Sequence, residues 1–102
     1  MAETIRIPNV TLPAEGRVRR VMANGTPVAL FHIGAEYYAI DARCTHVGGP
    51  LDRGMVQDGH VTCPLHGSMF DVKTGKVLRG PAARDVSAYR VHVEDTTLVL
   101  ER

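Results

Sequence analysis

Both cysteines of the chain and three of its five histidines lie within the 23 residues from Cys44 to His66. Cys44-Thr45-His46 stands at one end of that stretch and Cys63-Pro64-Leu65-His66 at the other, with 16 residues between His46 and Cys63. Each end supplies one sulfur and one imidazole. Thiolates select zinc, cuprous copper and iron-sulfur clusters, and imidazole suits zinc, copper and iron, so the set reads as a four-ligand centre for a soft or borderline metal. A single residue between Cys44 and His46 keeps their side chains from converging tightly on one atom, which suits two metals better than one. Tetrahedral zinc stays open as an alternative, although zinc sites usually draw on two cysteines a few residues apart, a knuckle absent from this chain. An ordinary disulfide, or two unrelated buried thiols, would leave the histidines at matched spacing unexplained.

A [2Fe-2S] cluster with one iron on two thiolates and the other on two imidazoles is the Rieske arrangement. The flanking residues carry the likeness past spacing. Cys44-Thr45-His46-Val47-Gly48-Gly49-Pro50-Leu51 and Cys63-Pro64-Leu65-His66-Gly67-Ser68-Met69-Phe70-Asp71 closely resemble the two cluster-binding loops of Rieske proteins, with Thr74-Gly75 and Gly80-Pro81-Ala82 at the expected downstream positions. The resemblance runs from Tyr37-Tyr38-Ala39-Ile40 to the closing strands. It implies that Cys44 and Cys63 bind the inner iron and His46 and His66 the outer, surface-facing iron. Gly48, Gly49, Gly67, Ser68, Phe70 and Pro81 are then expected around the cluster. Without a Cβ, the three glycines let the backbone approach closely and adopt left-handed dihedrals, and their amides could donate to cluster sulfurs. Pro50 and Pro64 stiffen the loops by fixing φ.

Ser68 and Phe70 bear on the redox potential. In high-potential Rieske proteins, as the resemblance implies, a serine here donates to a bridging sulfide and a tyrosine two residues later donates to a ligating cysteine sulfur. This chain keeps the serine and has Phe70 in place of the tyrosine. One donor fewer stabilises the reduced state less, which predicts a potential in the lower or middle part of the roughly −150 to +300 mV Rieske range.

The resemblance points to the soluble Rieske ferredoxins, one-electron carriers that pass electrons from an NAD(P)H-dependent reductase to a terminal, ring-hydroxylating oxygenase. One alternative is the Rieske-type small subunit of an assimilatory nitrite reductase; a second is a zinc-stabilised structural or interaction module. With 102 residues there is room for one domain (1–102, cluster-binding subdomain about 43–82) but not for the mononuclear iron domain of oxygenase large subunits. The extra cysteine pair that ties the loops of membrane-anchored Rieske subunits is matched here by Gly49 and Leu65. Val47, Pro64, Leu65 and Pro81 are expected to form an apolar docking rim around the histidines of a monomer.

The elements that must present these residues are strands. Alternation over Glu3 to Ile7, the run from Gly16 to Met22 and the Asn24-Gly25 hairpin dipeptide begin an all-β pattern. Pro27 to Ile33 is apolar on both faces, as a central strand would be, and Glu36 to Asp41 leads into the first cysteine loop. Met55-Val56-Gln57 and His60-Val61-Thr62 form a hairpin back to Cys63; further strands are expected near 69–72, 76–78, 88–93 and 97–101. The prediction is an antiparallel all-β barrel or sandwich of nine or ten strands with the cluster loops at one tip. His32 is expected in or near the core, His60 at a hairpin turn and His92 in solvent, none of them a ligand. With 12 basic and 11 acidic residues the chain is close to neutral, which offers nothing to nucleic acid, and Arg17, Arg19 and Arg20 are expected on one solvated strand face. No run approaches the apolar length of a signal peptide or membrane helix, so the expected location is cytoplasmic.

Overall fold

The computed structural model describes residues 3–45, 48–65 and 67–102. Among the described residues ten strands form two antiparallel sheets. In the larger sheet the order is β1 (Thr4–Ile7), β10 (Thr97–Glu101), β9 (Ala88–Glu94), β4 (Glu36–Asp41), β3 (Thr26–Ile33), β2 (Val18–Ala23). The smaller runs β5 (Met55–Gln57), β6 (His60–Thr62), β7 (Met69–Asp71), β8 (Val77–Arg79), all from the chain between β4 and β9. Its one helical element among the described residues is a 3-10 turn at Leu51–Arg53, which sequence periodicity does not reveal because a single turn has no period.

The turns follow their residues. Asn24 and Gly25 have φ of 50° and 83°, and Asp58 and Gly59 have 52° and 78°, the paired positive values that Asn-Gly and Asp-Gly hairpins supply. β2 then pairs with β3, from Val18↔Phe31 to Ala23↔Thr26, and β5 with β6, from Met55↔Thr62 to Gln57↔His60.

β3 explains the division into two cores. Val28, Ala29, Leu30 and Phe31 are all fully buried, and successive side chains point to opposite faces. Val28 and Leu30 join Ile5, Val21, Tyr89, Leu98 and Leu100. Ile5 and Val21 come from β1 and β2, the two ends of the sheet order, so the sheet curls until its edges share one core, a half-barrel. Ala29 and Phe31 face the other way and pack with Leu51, Val61, Phe70 and Val72. Both cysteines belong to this second core.

Arg17, Arg19 and Arg20 are exposed but do not share a face. Arg19 and Arg20 are neighbours in β2 and so point to opposite sides, with Arg20 Nη1 4.0 Å from Asp52 in the 3-10 turn. Among the described residues no helix is long and apolar enough to cross a membrane.

Candidate metal centre

The two cysteine loops have the same backbone design. Residues 44–49 leave β4 and return to the 3-10 turn, their neck closed by a bridge between Arg43 and Pro50 and by the Leu51 amide donating to Ala42 O at 2.7 Å. Residues 63–68 join β6 to β7, closed by the Thr62↔Met69 pair. In the first loop the Cys44 amide donates to Gly49 O at 2.9 Å and the Gly48 amide to Cys44 O at 2.8 Å. In the second, the Cys63 amide donates to Ser68 O at 2.7 Å and the Gly67 amide to Cys63 O at 3.1 Å. Each cysteine therefore starts a tight turn whose fifth residue is a left-handed glycine, with φ of 75° at Gly48 and 81° at Gly67. A side chain there would be strained, which gives these two glycines a conformational reason.

Gly49 has a different one. A Cβ on it would lie 2.6 Å from Cys63 Sγ and 3.1 Å from Leu65 Cδ1, so the first loop's backbone rests directly against the second loop's sulfur. Gly49 and Leu65, the pair expected to stand in place of an extra cysteine pair, thus face each other across the two loops without one. Cys44 and Cys63 are both buried and free. His46 and His66, together with Val47, lie outside the described residues, so the described residues contribute the two thiols of the expected ligand set.

Ser68 is fully buried, and its Oγ accepts the Ala82 amide at 2.9 Å, which leaves its hydroxyl hydrogen free to be donated. Phe70 is fully buried in the core that holds both cysteines. Pro81 is exposed and follows Gly80 through a cis bond. Pro64 and Leu65 are exposed as well, Leu65 by 53%, so three of the four expected rim residues face solvent.

Sequence reasoning missed the segment that holds the loops together. Thr45 Oγ1 donates to Arg84 O at 2.6 Å, so one hydroxyl from each loop is tied to residues 82 and 84. That segment is fixed in turn: Asp85 Oδ1 accepts the Val77 amide at 2.8 Å, and the Val86 amide donates to Gly75 O at 2.9 Å. Gly75 permits this contact, because a Cβ there would sit against Val86 O. Gly80-Pro81-Ala82 was the only sequence signal of this strap, since the Thr45 to Arg84 bond spans 39 residues.

His32 and His92 lie on β3 and β9 of the larger sheet, apart from the loops, while His60 opens β6 after the Asp58-Gly59 turn. The His32 ring stacks on Tyr37 at 4.3 Å, with Nδ1 3.0 Å from Pro13 O; His92 Nε2 lies 3.5 Å from Glu94 on the exposed face of β9. Behind the first loop, Tyr89 OH donates to Asp41 Oδ1 at 2.6 Å. Burial, and then this bond to a carboxylate, push the Tyr89 hydroxyl up to about 12.

The donor set and its cradle fit an iron-sulfur group: two sheltered thiols and a close approach that a single methyl would fill. The Gly48 and Gly67 amides, expected to reach cluster sulfurs, instead donate to the carbonyls of Cys44 and Cys63, because each closes its own turn. A family model described as the Rieske [2Fe-2S] domain matches residues 5–90. The ferredoxin component of the naphthalene 1,2-dioxygenase/salicylate 5-hydroxylase systems of Ralstonia sp is 38% identical over 87 residues, 85% of this chain and 84% of that protein. The ferredoxin of carbazole 1,9a-dioxygenase from Nocardioides aromaticivorans IC177 superposes with a TM-score of 0.86 at 30% identity, over 94% of this chain and 96% of that one. A chain from a complex of reduced oxygenase and oxidized ferredoxin in carbazole 1,9a-dioxygenase gives 0.84 at 27% identity, over 94% and 92%.

Proposed function

Since the chain belongs to the Rieske [2Fe-2S] domain family, we propose that it is a one-electron carrier serving a terminal oxygenase, with Cys44, Cys63, His46 and His66 holding one [2Fe-2S] cluster. Bound there, the cluster supplies reversible uptake of a single electron. The protein's own residues set the conditions for it. The buried cysteines keep two ligands away from water, and Gly49 leaves the space beside Cys63 Sγ that a methyl would take. The amides of Gly48 and Gly67 hold each turn closed on its cysteine carbonyl, and Thr45 and Ser68 anchor both turns to one strap. Fixed surroundings suit a carrier, because little has to move when charge changes. Imidazole in place of two thiolates removes negative charge, which is why such centres lie above all-cysteine ferredoxins in potential.

The observation that carries this reading is the repeated loop, two cysteine turns of one hydrogen-bond pattern meeting where Gly49 touches Cys63. The relatives support the partner: two ferredoxins of dioxygenase systems, and a ferredoxin in complex with its oxygenase. They favour the carrier over a nitrite reductase subunit or a zinc module. A reductase as electron donor, a monomeric chain, a single 1–102 domain and a cytoplasmic location belong to the same proposal. So does docking at the face of Pro64, Leu65 and Pro81. Coulometric titration of the purified protein tests it. One electron per chain, taken up and returned reversibly, is expected; no reversible uptake would overturn the reading.

A further inference from the structure

The ion pairs among the described residues are Arg6 with Glu94, Arg20 with Asp52, His92 with Glu94 and Arg102 with Glu3. They belong to the larger sheet, its flanking residues and its border with the 3-10 turn. Three exposed arginines at the cysteine-loop end take part in none of them. Arg43 immediately precedes Cys44, and its backbone bridges Pro50 at the neck of the first loop. Arg84 offers its carbonyl to Thr45. Arg79 stands opposite Met69, one residue beyond Ser68.

Arg43 and Arg84 line one open groove of about 400 Å³, beside the first loop, together with Asp41 and Asp85. Asp41 accepts the Tyr89 hydroxyl and Asp85 the Val77 amide, neutral donors that leave both charges in place but hold the carboxylates, and neither forms an ion pair with Arg43 or Arg84. Arg79 adds a third positive charge outside the groove. The same end exposes Leu65 and Leu78, each by 53%, as well as Pro64 and Pro81. Exposed apolar side chains on the loops and the adjoining strand, together with guanidinium groups that enter none of these ion pairs, have a definite complement.

We infer that this end docks onto a protein face carrying carboxylates around an apolar patch. The inference deepens the carrier reading and rests on it, because it assigns the chemistry of the partner at the same face. Arginine keeps its charge at any physiological pH, and its planar fork matches a carboxylate. Exposed pairs add little affinity singly. Their contribution is to steer the encounter and fix its register, while the apolar side chains exclude water where the electron crosses. A small face with weak pairs also lets go quickly, as a shuttle must.

The test reads the sign of the field at this end. The reduced holoprotein is mixed in a stopped-flow instrument with hexacyanoferrate(III), an anion, or tris(phenanthroline)cobalt(III), a cation, over ionic strengths from about 10 to about 300 mM. The anionic probe is expected to react fastest at low salt and to slow as salt rises, with the cationic probe showing the opposite trend. Arg43→Glu combined with Arg84→Glu should lower the low-salt rate of the anionic probe on the order of threefold or more and flatten its salt dependence. Arg19→Glu, on β2, should leave both probes unchanged. An absent or reversed salt trend in the wild-type protein, or unchanged rates in the double variant, would overturn the inference. The two readings fail separately: a chain that takes up no electron defeats the carrier proposal, whereas a reversible chain with the wrong salt trend defeats only the arginine rim.

Discussion

Phe70 can be exchanged for tyrosine with the addition of one hydroxyl, in the core that also holds Cys44 and Cys63. If that hydroxyl reaches a cluster-bound sulfur, it favours the reduced state. A hydrogen bond worth about 0.5–1.5 kcal/mol corresponds to roughly 20–60 mV for one electron. Redox titration of Phe70→Tyr is therefore expected to show a midpoint higher by that amount; no change or a fall would contradict this use of the position. Gly49→Ala puts a methyl 2.6 Å from Cys63 Sγ, against a partner whose position the cluster would fix. Iron content per chain should drop while far-ultraviolet circular dichroism stays unchanged; full loading would show that the loop can yield. The sequence made these glycines legible because left-handed turns and close approaches exclude a Cβ. It left Thr45 silent, because a hydroxyl between Cys44 and His46 carries no sign of a carbonyl 39 residues away.

Strand by strand, the pattern was readable wherever two faces differ or where neither is polar. Val28 to Phe31 is buried residue after residue, and that run marks β3 as the wall between the two cores. The one-face expectation for the arginines failed because it followed charge and not alternation, which sends the consecutive Arg19 and Arg20 of β2 to opposite faces. The smaller sheet was legible as a hairpin plus two short strands, but its dependence on the strap at residues 82–86 was not. Thr45→Val removes the bond from the first loop to that strap at nearly constant volume. The loss is worth about 0.5–1.5 kcal/mol, so cluster release to an iron chelator is expected to run roughly two- to tenfold faster. Thr45→Ser should restore the wild-type rate; equal rates in all three proteins would show that the strap does not hold the loop.

Across the whole molecule, Tyr89 on β9 ties β4 to Arg102, donating to Asp41 while Arg102 Nη1 lies 3.3 Å from its hydroxyl. With its hydroxyl pushed up from 10.0 to about 12, Tyr89 stays neutral in the folded chain after it would ionise in the unfolded one. The unfolded state then binds fewer protons. Stability from this group is complete below pH 10 and lost as pH rises toward about 12, by no more than about 1.4 kcal/mol per pH unit. Denaturant titrations of the wild type and Tyr89→Phe should therefore converge as pH climbs through that window; parallel curves would contradict the shift. The proposal that the two loops share one cluster stands or falls with its ligand set. Low-temperature electron paramagnetic resonance of the dithionite-reduced protein is the direct test. A Rieske-type signal integrating to one spin per chain, and lost in both His46→Cys and His66→Cys, is the predicted result; a silent, colourless protein with one zinc ion, or a Rieske signal that survives either substitution, would contradict it.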